Sequence, residues 1–483
     1  MRPFSLLLTL VATVTLTNAQ FHKFMKGGSA LNISSWDHDV MRFCDAYVDK
    51  QCGQREDDKV ESLPGQPDCD DDSEAFDQYA GYITVDPKAG RALFYYFVEA
   101  VNDSKSVPLV LWFNGGGYWE SHSSLGHGAL MGQGPFRVNS DGETLSPNNY
   151  SWNKVANIIF LETPAGVGYS YSNSTLDYEE IGDKKATEDS FAFILNWLQR
   201  FPRYKKRDFY IAGDGYAGHC LPQLAYAILH NNKKCNNTHI NLKGIAIGNG
   251  WMDEDDSLKG VYDFHGDHTL ISNDVRNKIL FNCNFTTPIV LSPDCLDYLN
   301  QASEMVAGLN LYDIYGPPCK PSSRTNISIG GFDTCSHMYV ESYLNLPKVQ
   351  EALHANITSL PYPWTVNSSV IKEWKNWYPT ITPLVKKLMA NGTRVWLYTG
   401  DTDSVAPITL TDYFIERLNV TEQTSSYPWY SEGEVAGFAV GYENLTLVSV
   451  RGGGHFVPSY QPARALTLFS SFIKQEMPPR SPH

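Results

Sequence analysis

The sequence of 483 residues is poor in basic side chains and has no long apolar run after its N-terminus. Lysine and arginine number 38 against 53 aspartates and glutamates, which gives a formal net charge of −15. Because phosphate contacts need clustered Lys and Arg, this balance argues against a nucleic-acid partner. The absence of a second long apolar segment argues against a membrane-spanning protein.

The sequence also lacks any C-x-x-C pair, which argues against a structural zinc site, and we predict neither a metal nor a cofactor. There are nine cysteines, an odd number, so at least one thiol is expected to stay free or to pair between chains. Cys283 lies close to Cys295 along the chain, and Cys44 lies close to Cys52.

The N-terminus reads as a secretory signal peptide, residues 1–19. Arg2 gives it a positive start, residues 4–16 are apolar, and small residues precede Ala19. We therefore predict a secreted or vacuolar protein. Twelve N-x-S/T sequons support this route and predict a glycosylated surface. They begin at Asn32, Asn102, Asn149, Asn173, Asn236, Asn284, Asn326, Asn356, Asn367, Asn391, Asn419 and Asn444.

The remaining chain has a globular composition, with 42% hydrophobic and 19% charged residues. Residues 20–79 are polar and irregular, and their acidic run at 70–72 is predicted to be a solvated loop. Apolar runs such as LVLWF, NIIFL and FYIAG then alternate with helical spacing, which predicts an α/β fold with a mostly parallel, mixed central sheet flanked by helices. The strand pattern fades after Trp251, so we predict a core at 80–250 and 376–483 and a largely helical inserted cap at 251–375.

Three short motifs follow predicted strands, in an order typical of catalytic α/β-hydrolases. The first, GDGYAG, has the shape of a nucleophile elbow with Gly215 at its centre. The second, YTGDTDSVAP, places Asp401 and Asp403 after a strand, and the third, GGGHFVP, places His455 after the last strand. Each residue alone is as well explained by a turn, a helix cap or a surface histidine. Their common order is what indicates a catalytic arrangement.

The chain resembles the serine carboxypeptidase family, including its plant members, over roughly residues 58–475. The resemblance rests on blocks such as LPGQP, AGRALFYYFVEA, LVLWFNGG, GVGYSYSNS, YAGH, IGNGW, YTGDTDSVAP and GGGHFVP. It implies the α/β-hydrolase fold and the chemistry of peptidases, acyltransferases or a hydroxynitrile lyase.

The resemblance also implies roles for single residues. Asp403 and His455 correspond to the family's catalytic acid and base, and Gly215 stands where the family has its nucleophilic serine. The backbone amides of Gly116 and Tyr216 correspond to the oxyanion hole. Glycine tolerates the strained elbow geometry but supplies no nucleophile.

A second group of residues corresponds to the family's recognition of the substrate carboxylate. Asn114 and Gly115 are kept, and one of the two carboxylate-binding acids becomes Asp214. The other becomes Gly132, with Glu120 in the neighbouring loop as a weaker replacement. That loop reads NGGGYWESHSS, is longer than in the family and lacks its Pro-Gly-Cys.

The resemblance implies two disulfides, Cys283–Cys295 and Cys319–Cys335. The loop cysteine of the family and its partner are both absent, and Asn367 stands at the partner's position. The remaining cysteines receive no assigned partner from the resemblance. They are Cys44, Cys52, Cys69, Cys220 and Cys235.

Three readings stay open. The first is a non-catalytic or strongly impaired protein that keeps a binding role. The second is an active carboxypeptidase or acyltransferase with a replacement nucleophile, for which Ser121, Ser123 and Ser124 are the candidates. The third is a lyase that uses the Asp403–His455 pair. As partners, these readings leave open a peptide or small-molecule ligand, a homodimer, or a catalytic paralogue.

Overall fold

The computed structural model describes residues 40–51, 53–67, 75–101, 104–115, 121–235, 237–286, 291–320, 327–328, 330–355, 360–371 and 373–482. The predicted signal peptide, the acidic run at 70–72, Gly116 and Glu120 lie outside these residues. So do five of the predicted sequon asparagines, at Asn32, Asn102, Asn236, Asn326 and Asn356.

An eleven-stranded sheet forms the core, in the order β1-β2-β3-β7-β4-β8-β9-β10-β13-β12-β11. The strands from β7 through β13 in this order run parallel, and the outer strands on both sides pair antiparallel. The fold class predicted from the sequence, a mixed and mostly parallel sheet, is therefore confirmed. The strands are β1 (Lys59–Val60), β2 (Gln78–Asp86), β3 (Arg91–Val98), β4 (Leu109–Asn114), β5 (Phe136–Val138), β6 (Leu145–Pro147), β7 (Asn157–Leu161), β8 (Phe209–Asp214), β9 (Leu242–Gly248), β10 (Arg394–Gly400), β11 (Glu422–Ser431), β12 (Glu434–Tyr442) and β13 (Leu445–Val450).

The central strands are apolar along their whole length because both faces of the sheet are covered. Every residue of β4 and of β8 is buried. Along β4, Leu109 and Leu111 pack into one hydrophobic cluster, and Val110 and Trp112 pack into another on the opposite face. This alternation is what a parallel sheet between two helical layers requires.

The helices cover both faces of this sheet and form the connection between β9 and β10. They are α1 (Gln54–Asp57), α2 (Leu176–Glu179), α3 (Asp183–Arg200), α4 (Ala217–Lys234), α5 (Glu254–Asp267), α6 (Asn273–Asn282), α7 (Pro293–Val306), α8 (Ser336–Leu344), α9 (Pro347–Ala352), α10 (Thr382–Ala390), α11 (Ile408–Leu418), α12 (Val457–Tyr460) and α13 (Pro462–Lys474). A π-helix spans Ser124–Leu130, and short 3-10 helices span Val40–Asp45, Trp152–Lys154 and Pro202–Tyr204.

The predicted cap, residues 251–375, contains α5 to α9. Its described part contributes no strand to the central sheet, and isolated bridges are its only β-pairing there. The predicted boundaries of the cap remain a prediction. In the described part of the predicted irregular segment 20–79, the chain forms the Val40–Asp45 3-10 helix, α1 and β1. No described helix is long and apolar enough to span a bilayer.

Three disulfides join six of the seven described cysteines. Cys283–Cys295 and Cys319–Cys335 form as the resemblance implied. The third, Cys44–Cys235, links cysteines 191 residues apart, for which the sequence offered no partner. It forms because the Val40–Asp45 helix packs beside α4, so sequence proximity to Cys52 was no guide. These bonds indicate an oxidising, secretory compartment. Cys220 carries a free thiol.

Candidate active site

The carboxyl ends of β8, β10 and β13 lie at one edge of the sheet and bring the three predicted catalytic positions together. Gly215 follows β8, Asp403 follows β10, and His455 follows β13. Because parallel strands all end at the same edge, residues far apart in sequence meet there. The structure thus assembles the arrangement that the motif order predicted.

Gly215 forms a sharp turn between β8 and α4, in the left-handed region with φ at +59°. Its N–H donates to the carbonyl of Gly248 at 3.0 Å, and its carbonyl accepts from the N–H of Trp251 at 2.9 Å. A Cβ atom built on Gly215 would lie 3.2 Å from Nε2 of His455. Any side chain at this position would therefore point at the imidazole and contact it tightly.

Asp403 holds His455 in a fixed orientation. The Oδ2 atom of Asp403 lies 2.8 Å from Nδ1 of His455, and the aspartate is fully buried. Its carboxylate also accepts from the N–H groups of Val405 at 2.8 Å and Ala406 at 3.1 Å. With Nδ1–H donating to Asp403, the opposite ring edge of His455 faces Gly215, as general-base chemistry requires.

Asn249 supports the Asp403–His455 pair and was not predicted from the sequence. Its Nδ2 donates to Oδ2 of Asp403 at 2.7 Å, and its Oδ1 accepts from the N–H of Gly400 at 3.0 Å. Asn249 follows β9 with φ at +40° and is fully buried. The IGNGW block contained the signal, since it places an amide at the end of a central strand. Asp401, the other candidate acid, instead accepts from the N–H of Gly452 at 2.6 Å.

Asn114, Gly115 and Asp214 form a connected group beside the elbow. The Nδ2 of Asn114 donates to Oδ1 of Asp214 at 2.8 Å, and Trp112 Nε1 donates to Oδ1 of Asn114 at 2.8 Å. The N–H of Gly115 donates to the carbonyl of Asp214 at 2.9 Å. Burial raises the pKa of Asp214 to about 6. The charges of His455 and His122 and the hydrogen bond from Asn114 act in the opposite direction and lower this pKa.

Gly115 brings the end of β4 against the turn. A Cβ on Gly115 would lie 2.2 Å from the amide nitrogen of Tyr216, so only glycine allows this approach. The Tyr216 hydroxyl donates to Asp183 at 2.8 Å, which fixes the residue after the elbow. The oxyanion roles of Tyr216 and of Gly116, which lies outside the described residues, stay predictions.

The loop segment, residues 121–132, forms the other wall of the site. Ser123 accepts from the N–H of Gly126 at 2.9 Å and donates to Glu162, so it caps the π-helix. Ser124 accepts from the N–H of Asn114 at 2.9 Å. Both serines are buried and their hydroxyls make these structural bonds. This arrangement does not favour either of them as a replacement nucleophile.

Main-chain hydrogen bonds tie the loop segment to residues 366–368. Ser123 N–H donates to the Val366 carbonyl at 2.8 Å, and Ser368 N–H donates to the Ser121 carbonyl at 2.9 Å. His122 and Asn367 are paired as an isolated antiparallel bridge between them. This bridge lies where the family resemblance implied that a disulfide is missing.

Two histidines of the loop segment were not predicted from the sequence. The rings of His122 and His127 lie 4.8 Å apart, and His127 stacks on Phe456 at 4.3 Å. Phe456 in turn contacts the ring of His455 at 4.9 Å. The pKa of His127 lies well below its usual range, and burial is the largest cause. The signal in the sequence was the HSSLGH spacing in the altered loop.

Gly132, where the resemblance places a lost acid, lies in a crowded position. A Cβ there would be 2.7 Å from the carbonyl oxygen of His127 and 3.0 Å from that of Gly128. The Gly132 carbonyl accepts from Arg137 at 2.9 Å and from Asn148 at 3.0 Å. A side chain at 132 would require the backbone of the loop segment to shift.

The described predicted sequons differ in exposure. Asn367 is half-buried beside the site, whereas the other described asparagines are exposed. The exposed ones are Asn149, Asn173, Asn284, Asn391, Asn419 and Asn444. Attachment of glycans to any of them stays a prediction.

One described group of side chains gathers donor atoms as a metal site would, namely Cys44, His230 and Cys235. Cys44 and Cys235 are joined in a disulfide, which removes both thiolates as ligands. The expectation of no metal and no cofactor is not tested by this group.

Comparison with known proteins gives a consistent relationship. The serine carboxypeptidase family model matches residues 67–475. Serine carboxypeptidase-like 40 of Arabidopsis thaliana is 48% identical over 431 residues, covering 88% of this chain and 84% of that protein. Serine carboxypeptidase 24 of the same plant is 42% identical over 447 residues, covering 89% and 94%.

Among solved structures, Kex1(delta)p, a prohormone-processing carboxypeptidase from Saccharomyces cerevisiae, aligns with a TM-score of 0.71 at 24% identity, covering 87% of this chain and 96% of that chain. This likeness supports the fold. The extent of the family match and the identity to the plant proteins together show that this chain belongs to the serine carboxypeptidase family.

Proposed function

We propose that this chain is a secreted or vacuolar glycoprotein that binds a peptide or small molecule without efficient serine-type catalysis. The observation that carries the proposal is Gly215, which occupies the position of the family's nucleophilic serine and faces His455. Acyl transfer needs an oxygen that attacks the carbonyl carbon, and glycine provides none. Removing such a serine costs on the order of 10⁶ in kcat in a protease studied elsewhere.

The walls of the site support a binding role. Asp403, His455, Asn114 and Asp214 are all buried and hydrogen-bonded. The polar groups around the elbow are therefore held in place although the bond-forming atom is missing. The hydroxyls of Ser123 and Ser124 are used in structural bonds, and this weighs against these two as a replacement nucleophile. Ser121, whose carbonyl accepts from Ser368, stays a candidate.

The experiment compares wild-type protein with His455→Ala on N-blocked dipeptides at acidic pH. We expect the same release of amino acid from both proteins, at the background rate. Release by wild type that clearly exceeds that of His455→Ala would refute the proposal. Gly215→Ser serves as the companion variant, and gain of His455-dependent turnover would show that the other groups still work together.

A lyase is the second candidate, favoured by the intact Asp403–His455 pair at 2.8 Å. An imidazole held in this way can accept a proton from a bound hydroxyl group without a covalent intermediate. Release of a carbonyl product from hydroxynitriles by wild type, but not by His455→Ala, would support this reading over the first. A homodimer or a complex with a catalytic paralogue remains a separate proposal, and sedimentation of the purified chain alone and with a paralogue tests it.

A further inference from the structure

One cluster of metal-ligating side chains in the described part of the chain lies far from the elbow. Cys44 belongs to the Val40–Asp45 3-10 helix, His230 belongs to α4, and Cys235 follows the last residue of α4. Because α4 begins at the elbow and has 18 residues, its other end is about 27 Å away. The ligand atoms of the three residues all lie within 4.8 Å of one another.

Contacts that do not involve sulfur hold Cys44 beside the end of α4. The neighbouring Phe43 is buried, and its ring packs edge-on against that of Phe191 in α3, with 5.3 Å between the ring centroids. A few residues further on, the Nδ2 of Asn196 in α3 donates to the carbonyl of Tyr47 at 2.8 Å. None of these contacts needs the Cys44–Cys235 disulfide, so the fold should keep the two cysteines close when that bond is open.

The ligand set and its spacing fit zinc. Two thiolates and an imidazole are ligands that Zn²⁺ prefers, and a water molecule can complete a tetrahedral site. Bonds of about 2.0 to 2.3 Å place the ligand atoms of a tetrahedral ion about 3.6 to 3.8 Å apart, which is within the span of this cluster. All three residues are half-buried, so an ion can reach them from solvent.

The charges around the cluster do not oppose a divalent cation. Two thiolates neutralise Zn²⁺, and the C-terminal end of α4 adds partial negative charge because its last carbonyls point that way. The basic residues of the last turn, Lys233 and Lys234, are exposed, so solvent and salt screen their charge.

We propose that Cys44, His230 and Cys235 bind Zn²⁺ whenever the Cys44–Cys235 disulfide is open. The ion then replaces the disulfide as the link between the N-terminal segment and α4. Every newly made chain carries these cysteines as thiols before the disulfide forms, and a dithiol reductant returns the folded chain to the same state. This inference does not depend on the chemistry at Gly215.

The electrons and protons of this exchange balance. A dithiol gives two electrons and two protons to the disulfide, becomes a disulfide itself, and leaves Cys44 and Cys235 as thiols. Zn²⁺ then displaces both thiol protons into solvent and accepts a lone pair from one ring nitrogen of neutral His230. Oxidation of the two thiolates to the disulfide reverses the sequence and expels the ion.

The test uses Co²⁺ as a coloured substitute for Zn²⁺ in the purified full chain. The chain is reduced with dithiothreitol, freed of reductant without air and titrated with Co²⁺. We expect one equivalent to produce the charge-transfer absorption of thiolate–cobalt bonds together with the visible bands of tetrahedral cobalt. Zn²⁺ should displace the Co²⁺ and abolish these bands, and the oxidised chain should not show them.

Variants separate this cluster from the other thiols of the reduced chain. His230→Ala should weaken Co²⁺ binding at least about tenfold, the smallest loss that removal of a partner of a metal ligand causes. Cys44→Ser should abolish the bands of the first equivalent, whereas Cys319→Ser opens a different disulfide and should keep them. His239→Ala is the matched control for His230→Ala, because its exposed imidazole lies shortly after Cys235 but outside the cluster.

Circular dichroism of the reduced wild type shows whether the fold survives reduction, as the proposal requires. Loss of the fold on reduction would overturn it, because the fold must hold the ligands without the bond. The absence of stoichiometric Co²⁺ binding by the folded, reduced chain would also overturn it. So would thiolate–cobalt bands that are unchanged in Cys44→Ser or in His230→Ala, or binding that is weakened equally in His239→Ala.

Discussion

The two walls of the candidate site are built by different means. The strand-end wall, consisting of Gly215, Asn249, Asp403 and His455, lies at the ends of parallel strands and is fixed by the register of the sheet. The loop wall, the loop segment 121–132, is held by a helix cap, by side-chain hydrogen bonds at Ser124 and Gly132, and by a short main-chain bridge to residues 366–368. Geometry set by a sheet persists when one side chain is lost, whereas a loop can be rebuilt around new side chains. The sequence resemblance implies that the first wall departs from the family at Gly215 alone, whereas the second departs over a whole loop.

The largest effect is expected on the strand-end wall from Asp403→Ala. This change leaves Asn249, His455 and two backbone N–H groups without their buried acceptor. We expect a loss of about 3 kcal/mol in the free energy of unfolding, since breaking a buried hydrogen-bonded pair exposes an uncompensated group. Urea denaturation measures it.

Asp401→Ala is the matched control, because Asp401 follows the same strand but is bonded to the N–H of Gly452. A loss of about 1 kcal/mol is expected there. If the two variants lose stability equally, the carboxylate of Asp403 is not the central acceptor of the strand-end wall.

A smaller effect on the free energy of unfolding is expected at the loop wall when the pH is raised. Burial raises the pKa of Glu162 from 4.5 to about 7, so the folded chain holds a proton there that the unfolded chain releases. The stability from this group is complete below pH 4.5 and is lost as the pH rises to about 7. The difference between 4.5 and about 7 corresponds to at most about 3 kcal/mol, measured as the shift of the urea midpoint with pH.

Glu162→Gln should remove this part of the pH dependence, because the amide does not titrate. Burial also raises the pKa of Glu254 to about 8, and its contribution should remain in that variant. An unchanged midpoint-versus-pH curve in Glu162→Gln would mean that the loop wall is not sensitive to this carboxyl.

The smallest effect is expected from Gly215→Ala, where the two walls meet. A side chain in the left-handed region costs about 1 kcal/mol, and Gly308→Ala supplies the control because its φ is +88° in open space. The new Cβ of Gly215→Ala would lie 3.2 Å from Nε2 of His455. This variant should therefore lose a few tenths of a kcal/mol more in the free energy of unfolding than the control, on the order of one close contact. Equal losses in urea denaturation would show that His455 moves away without cost.

The strand-end wall was largely predictable from the sequence. The strands β8, β10 and β13 are rich in apolar residues, and each is followed by a short motif. The meeting of Gly215, Asp403 and His455 therefore follows from a parallel sheet. Asn249 was not predicted because an amide after a strand is as common in turns as in functional sites. Its role appears only when β9 is seen between β8 and β10.

The loop wall and the third disulfide were not predictable, for a physical reason. The position of His122 depends on a bridge to residue 367, and Cys44 pairs with Cys235 across 191 residues. Neither contact has a periodic pattern along the chain, and both depend on how segments far apart in sequence pack together. Cys283–Cys295 and Cys319–Cys335 could be inferred because the family resemblance implies both pairings.

The bridge between residues 121–123 and 366–368 has a consequence for redox chemistry. In a protein whose loop is tied by a cystine, a reductant can loosen the wall of the site without unfolding the rest. Here the same tie consists of backbone N–H and carbonyl groups, which no thiol can exchange. The shape of this pocket therefore does not respond to the thiol–disulfide balance of its surroundings through this connection. In the described part of the chain, reducing agents should act through the three cystines.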